Sequence, residues 1–111
     1  MKVTVREAGK IRVVDLKGKI TLGGGDLVVR EAVQGLINDG HKQIVLNLQG
    51  VEYIDSAGIG ELVACKKRAM AQDGDVKLLM PSESVYKVLS MVALHLIFEI
   101  SDSEAKAVGS F

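Results

Sequence analysis

The chain is predicted to fold as a single α/β domain: a mixed sheet of four to five strands with an antiparallel start, and about four packed helices. Three observations carry that reading. The first twenty residues hold two strand-like segments around a turn, Ala8-Gly9-Lys10. Two short, almost continuously apolar runs follow, Ile44–Leu48 and Val76–Met80, in the pattern of strands covered on both faces. Between and after them, apolar residues recur at helical spacing. A length of 111 residues fits one domain, 1–111, able to bury a core without metal or disulfide support.

The elements follow in order. Residues 3–7 alternate apolar and polar, and Ile11–Leu16 reads as a second strand, so the two should form an antiparallel hairpin. Gly18, Gly23, Gly24 and Gly25 mark a mobile loop ending at Asp26. That aspartate suits the N-cap of a helix with Val29, Val33, Leu36 and Ile37 on one face. The helix should stop at Asn38-Asp39-Gly40, where glycine takes the left-handed C-cap conformation. After the strand Ile44–Leu48, residues 49–56 read as a connection and Gly58–Gln72 as the next helix, ended by Asp73-Gly74-Asp75. Val76–Met80 is the next strand. Pro81 and a capping Ser82 then precede a helix whose face holds Val85, Val88, Leu89 and Val92. Leu96–Ile100 reads as a last short edge strand. Ser101 and Glu104 fit a capping box for a terminal helix stopped by Gly109.

Composition narrows the function classes. Fourteen acidic and fourteen basic residues cancel, which gives no electrostatic reason to expect nucleic acid or an anionic membrane surface as partner. Cys65 is the only cysteine, so no internal disulfide and no thiolate-rich metal site is available. A reducing interior suits such a chain. The alternating start is no signal sequence, and no apolar stretch approaches a membrane span. A cytoplasmic protein with no cofactor and no direct membrane insertion is expected.

The segment Tyr53-Ile54-Asp55-Ser56-Ala57-Gly58-Ile59 is the most informative in the chain. It joins an apolar strand to a helix-like run, so Ser56 should sit where unpaired amides and the positive helix end converge. That position favours a negative group added to the hydroxyl. Ordinary N-capping also explains Asp55 or Ser56 on its own. Two glycines in a first turn, Gly58 and Gly60, cost about 1 kcal/mol each relative to alanine. They are understandable where something approaches that turn closely, or where the helix packs tightly on the strand beneath.

The stretch Val51 to Gly60 resembles the signature of STAS domains, and within them most resembles bacterial anti-sigma factor antagonists: an apolar residue, then Asp-Ser-(Ser/Ala/Thr)-Gly-(Leu/Ile/Val). Leu16-Lys17-Gly18-Lys19-Ile20 matches a second family element, a glycine-containing strand end. The resemblance covers essentially the whole chain and implies a STAS-like fold. It implies that Ser56 is the phosphoacceptor of an anti-sigma factor that is itself a serine kinase. The unmodified protein would bind that kinase and free a sigma factor, phosphorylation would abolish binding, and a serine phosphatase would restore it. Asp55 would hold the loop near the acceptor. Ala57, Gly58, Ile59 and Gly60 would complete the motif surface, with Thr21, Gly23, Gly24, Gly25 and Asp26 as a possible partner loop. A plain flexible turn explains the three glycines equally well.

A phosphoserine carries about −1.5 to −2 charges at neutral pH. At Ser56 it would meet the favourable helix end, worth up to about 2 kcal/mol, and the like charge of Asp55. These effects oppose, so little change of fold is expected. In a packed interface the same group would be desolvated at a cost of several kcal/mol, enough to end an interaction of ordinary affinity. The switch therefore needs no conformational change.

Other chemistries fit less well. A hydrolase elbow needs glycine two residues before the serine, and Ile54 stands there. His41 and His95, the only possible bases, read as surface or packing residues. Gly58-Ile59-Gly60 opens like a dinucleotide fingerprint, but Val63 occupies the third glycine position. Within the basic run Lys66-Lys67-Arg68, Lys66 falls on the apolar arc and reads as a snorkelling side chain. Cys65 reads as a small apolar residue. One alternative keeps the fold without the phosphate chemistry: a constitutive STAS adaptor subunit of a membrane lipid-transport ATPase complex.

Overall fold

The computed structural model describes all 111 residues. The chain runs β1 (Lys2–Ala8), β2 (Ile11–Ile20), α1 (Gly25–Asn38), β3 (Gln43–Ile54), α2 (Ser56–Met70), β4 (Asp75–Leu79), α3 (Glu83–Met91), β5 (Ile100–Ser101) and α4 (Glu104–Gly109). The strands lie in sequence order across one sheet, with β1 antiparallel to β2 and every later pair parallel. The expected mixed sheet, antiparallel start and four helices are all found.

Alternation along the strands builds two cores. Val14, Leu16, Ile44, Leu46, Leu48, Val76 and Leu78 share a core with α1, α2 and α3. Ile11, Val13, Val45 and Leu79 turn the other way, onto Ala107 of α4. Burial on both faces is why Ile44–Leu48 reads as an unbroken apolar run. Beside α4 that second face is polar. Arg6 holds Asp15 and Glu104, each at 2.6 Å, and Asn47 donates to Asp15 at 2.8 Å. Arg6 draws the Asp15 and Glu104 carboxyls below their ordinary pKa range.

Several expected boundaries differ from the structure. Residues 49–54 belong to β3, and residues 17–20 belong to β2 rather than to the following loop. The pairing survives because β3 carries extra residues. Asp15 opposes Asn47 but Lys17 opposes Gly50, and Gly18 opposes Val51 but Lys19 opposes Tyr53. Such bulges break the period-two pattern that strand recognition needs. Helix α1 begins at Gly25 with Gly24 as N-cap, so Asp26 lies inside the first turn. Helix α2 begins at Ser56 and ends at Met70.

The C-terminal third also differs. The apolar 94–98 stretch is not strand, because Ala93 at φ +60° starts a 3-10 turn over Leu94–Leu96 and leaves only two residues for β5. Val92 follows α3 and is exposed. Ser103, not Ser101, caps α4 by accepting from the Lys106 N–H at 3.4 Å, while Glu104 pairs with Arg6.

Candidate functional site

The C-terminal ends of β2 and β3 lie side by side, Ile20 opposite Ile54, and α2 starts immediately beyond. Asp55 has extended backbone and is the N-cap. Its Oδ1 accepts from the Gly58 N–H at 2.9 Å and its Oδ2 from the Leu22 N–H at 3.0 Å. One carboxylate thus fastens the helix start to the glycine-rich loop. Those two amides, Gly58 first, hold the Asp55 carboxyl below its ordinary pKa, since hydrogen bonds to a charged form favour it.

Glycine is required at two places here. A Cβ on Gly58 would collide with the Ile20 carbonyl, and one on Gly25 with the Lys19 carbonyl. Both helices therefore press their first turns onto the end of β2, which is how the 21–26 loop and the α2 start come together. Gly60 differs: it is exposed with open space around its Cα.

Ser56 is the first residue of α2 and is exposed, whereas Ala57 and Ile59 are half-buried. The loop residues divide. Gly23 and Gly24 face solvent, Thr21 is half-buried, and Gly25 and Asp26 are buried. The Thr21 carbonyl accepts from Gly24 at 3.3 Å and Asp26 at 3.2 Å, and Asp26 Oδ1 accepts from Gly24 at 3.1 Å and Leu27 at 2.8 Å. Asp26 and Gly25 build the turn from within. Sequence reading overlooked Leu22, a large apolar side chain 77% exposed beside Asp55; a leucine within a glycine-rich loop was the available signal.

Behind this surface, Glu61 lay outside the sequence reading. Glu61 of α2 is buried, 2.8 Å from Arg30 of α1 and 2.7 Å from Arg68, and it accepts from the Cys65 thiol at 3.4 Å. Burial first, and then Glu61, push the Cys65 thiol up to about 12, so it carries no thiolate chemistry. Lys66 does not snorkel. Its ammonium lies 2.5 Å from Asp75 and 5.2 Å from the Phe98 ring centre.

No histidine meets Ser56. His41 lies in the connection between α1 and β3, 3.5 Å from Arg12, and His95 is exposed on the 3-10 turn.

The STAS domain family model matches residues 2–107. The chain belongs to the STAS domain family. A Thermotoga maritima protein provisionally named an anti-sigma factor antagonist is 36% identical over 72 residues, covering 65% of this chain and 64% of that relative. The STAS chain therefore spans just under two thirds of that relative's length. A Thermotoga maritima crystal structure carrying the same provisional name superposes with a TM-score of 0.89 at 25% identity, over 97% of this chain and 92% of the other. A Bacillus cell fate determinant in its phosphorylated form superposes with a TM-score of 0.75 at 21% identity, over 98% of each chain. At that identity the last likeness speaks for the fold. No helix of this STAS domain is long and apolar enough to cross a membrane.

Proposed function

We propose that this STAS domain is an anti-sigma factor antagonist switched by phosphorylation of Ser56. Unmodified, it binds an anti-sigma factor with serine kinase activity and so releases a sigma factor. The phosphoserine form lets go, and a serine phosphatase resets it. The protein is a regulatory binding module in the cytoplasm, not an enzyme. The names of its relatives support the antagonist role. The observation that carries the switch is the exposure of Ser56 at the first position of α2, beside a carboxylate already committed to Gly58 and Leu22.

That commitment shapes the energetics. The Asp55 cap occupies the Gly58 amide, and the Asp55 carbonyl takes the Ile59 N–H at 2.9 Å. A phosphate on Ser56 thus finds part of the favourable helix end already used and a carboxylate nearby. Little is gained within the domain, so the larger consequence falls on the interface. A doubly charged group pressed against a packed partner loses its water and costs several kcal/mol. The partner's footprint combines Ser56, Ala57, Ile59 and Gly60 with Leu22, Gly23 and Gly24.

Co-purification with the cognate anti-sigma factor tests the switch. Ser56→Ala retains the partner, and Ser56→Asp releases it with an unchanged circular dichroism spectrum. Equal retention of the two variants would contradict the proposal.

A further inference from the structure

Arg12 is the exception among the cations that the fold covers. Lys66, Lys77 and Arg68, with side chains 12%, 7% and 28% exposed, each hold a carboxylate oxygen: Asp75 at 2.5 Å, Glu99 at 2.7 Å and Glu61 at 2.7 Å. The Arg12 side chain is 13% exposed, yet its acidic neighbour Glu7 stands 3.7 Å away on a side chain 79% exposed. Nη1 donates to the carbonyls of Gly9 at 3.1 Å and Ile11 at 3.3 Å. Nη2 faces His41 Nε2 at 3.5 Å, at the limit of a hydrogen bond. The long 3.7 Å ion pair with the exposed Glu7 leaves the covered guanidinium only weakly compensated, and a ligand from outside the chain can supply a closer acceptor.

The same guanidinium and imidazole line a cleft of about 480 Å³ with Lys10, Lys42 and Gln43, between the β1–β2 turn and the α1–β3 connection. No carboxylate and no apolar side chain lines it. Pockets for drug-like organic ligands are mostly apolar, so this one suits charge rather than a hydrophobic body. It lies at the starts of β2 and β3, the sheet end opposite Ser56.

We propose that this cleft binds a compact, multiply charged oxyanion bearing phosphate or carboxylate groups. Arg12 presents the planar fork that matches either group. Lys10 and Lys42 add mobile charge, and His41 and Gln43 supply ring and amide N–H donors. The proposal is independent of the Ser56 switch.

Isothermal titration of the whole chain with pyrophosphate in one arm and citrate in another, at physiological ionic strength to screen diffuse attraction, tests it. At least one anion binds saturably with one-to-one stoichiometry, and which one does assigns phosphate or carboxylate. Arg12→Gln weakens binding about ten- to a hundredfold, the range of a charge-assisted bond. Because Arg12 also braces the hairpin turn, the double variant Lys10→Gln, Lys42→Gln, which changes only exposed side chains, serves as a second probe and loses about tenfold. Amide shifts at Gly9, Gly40 and Lys42 accompany binding while those of Leu22 and Gly58 stay in place. Absence of saturable binding by both anions, or wild-type affinity in both variants, would overturn the proposal.

Discussion

Gly58 and Gly60 stand two residues apart in α2 and should answer an added methyl group in opposite ways. In Gly58→Ala the new Cβ meets the Ile20 carbonyl, and the backbone must shift, at a cost of about 1–3 kcal/mol. In Gly60→Ala it meets open space and stiffens the unfolded chain, a gain of about 0.5–1 kcal/mol. Urea midpoints at constant slope measure both. If the partner docks on this turn, Gly60→Ala weakens binding while raising stability. Asp55 belongs to the same scale. Its folded pKa is depressed by the Gly58 and Leu22 amides, so its stabilisation is full above the unfolded carboxylate range and fades as pH falls through the folded value. Asp55→Ala accordingly melts below wild type at pH 7, and the difference narrows on acidification below about pH 4. A gap that widened toward acid would contradict the assigned bonds. Asp55 and Ser56 were both legible in sequence as helix-start residues. The bond from Asp55 to Leu22, 33 positions away, was not, because nothing local encodes a long-range partner.

Between elements, the seam that keeps α1 against α2 is polar at its centre. Glu61 gathers Arg30, Arg68 and the Cys65 thiol in the second turn of α2, close behind the site. Glu61→Gln keeps the shape and removes the charge that both arginines need. Since Arg30 is half exposed and Arg68 retains some access, both can regain water, and the loss is about 1–3 kcal/mol rather than the larger cost of a sealed pair. Hydrogen exchange at Leu22 and Gly24 should quicken in this variant, because the loop hangs between the two helices. Unchanged exchange would mean that Asp55 alone holds the loop. Sequence reading found α1, α2 and α3 through their apolar stripes, yet misplaced strand ends wherever a bulge or turn intervened. The bulges at Leu48-Gln49 and Glu52 hid the second half of β3. Ala93, with a left-handed backbone that its residue type does not announce, turned an apolar run into a 3-10 turn.

Across the whole molecule, the parallel pairing of β2, β3 and β4 aligns their starts at one end of the sheet and their C-terminal ends at the other. At one end the α2 start and the glycine loop form a surface with an exposed hydroxyl; at the other lies a cleft lined by cations. The layout was readable because the runs Ile44–Leu48 and Val76–Met80 are almost continuously apolar and the helices around them carry apolar stripes. The distribution of charge was not, because Arg12, Glu61 and Lys77 owe their burial to neighbours distant in sequence. The central claim is that modification of one side chain decides docking. Intact-mass analysis after incubation with the cognate anti-sigma kinase and ATP tests it most directly. The account predicts one phosphate on the wild-type chain and none on Ser56→Ala. An unmodified wild-type chain, or a phosphate that persists in Ser56→Ala, would contradict it.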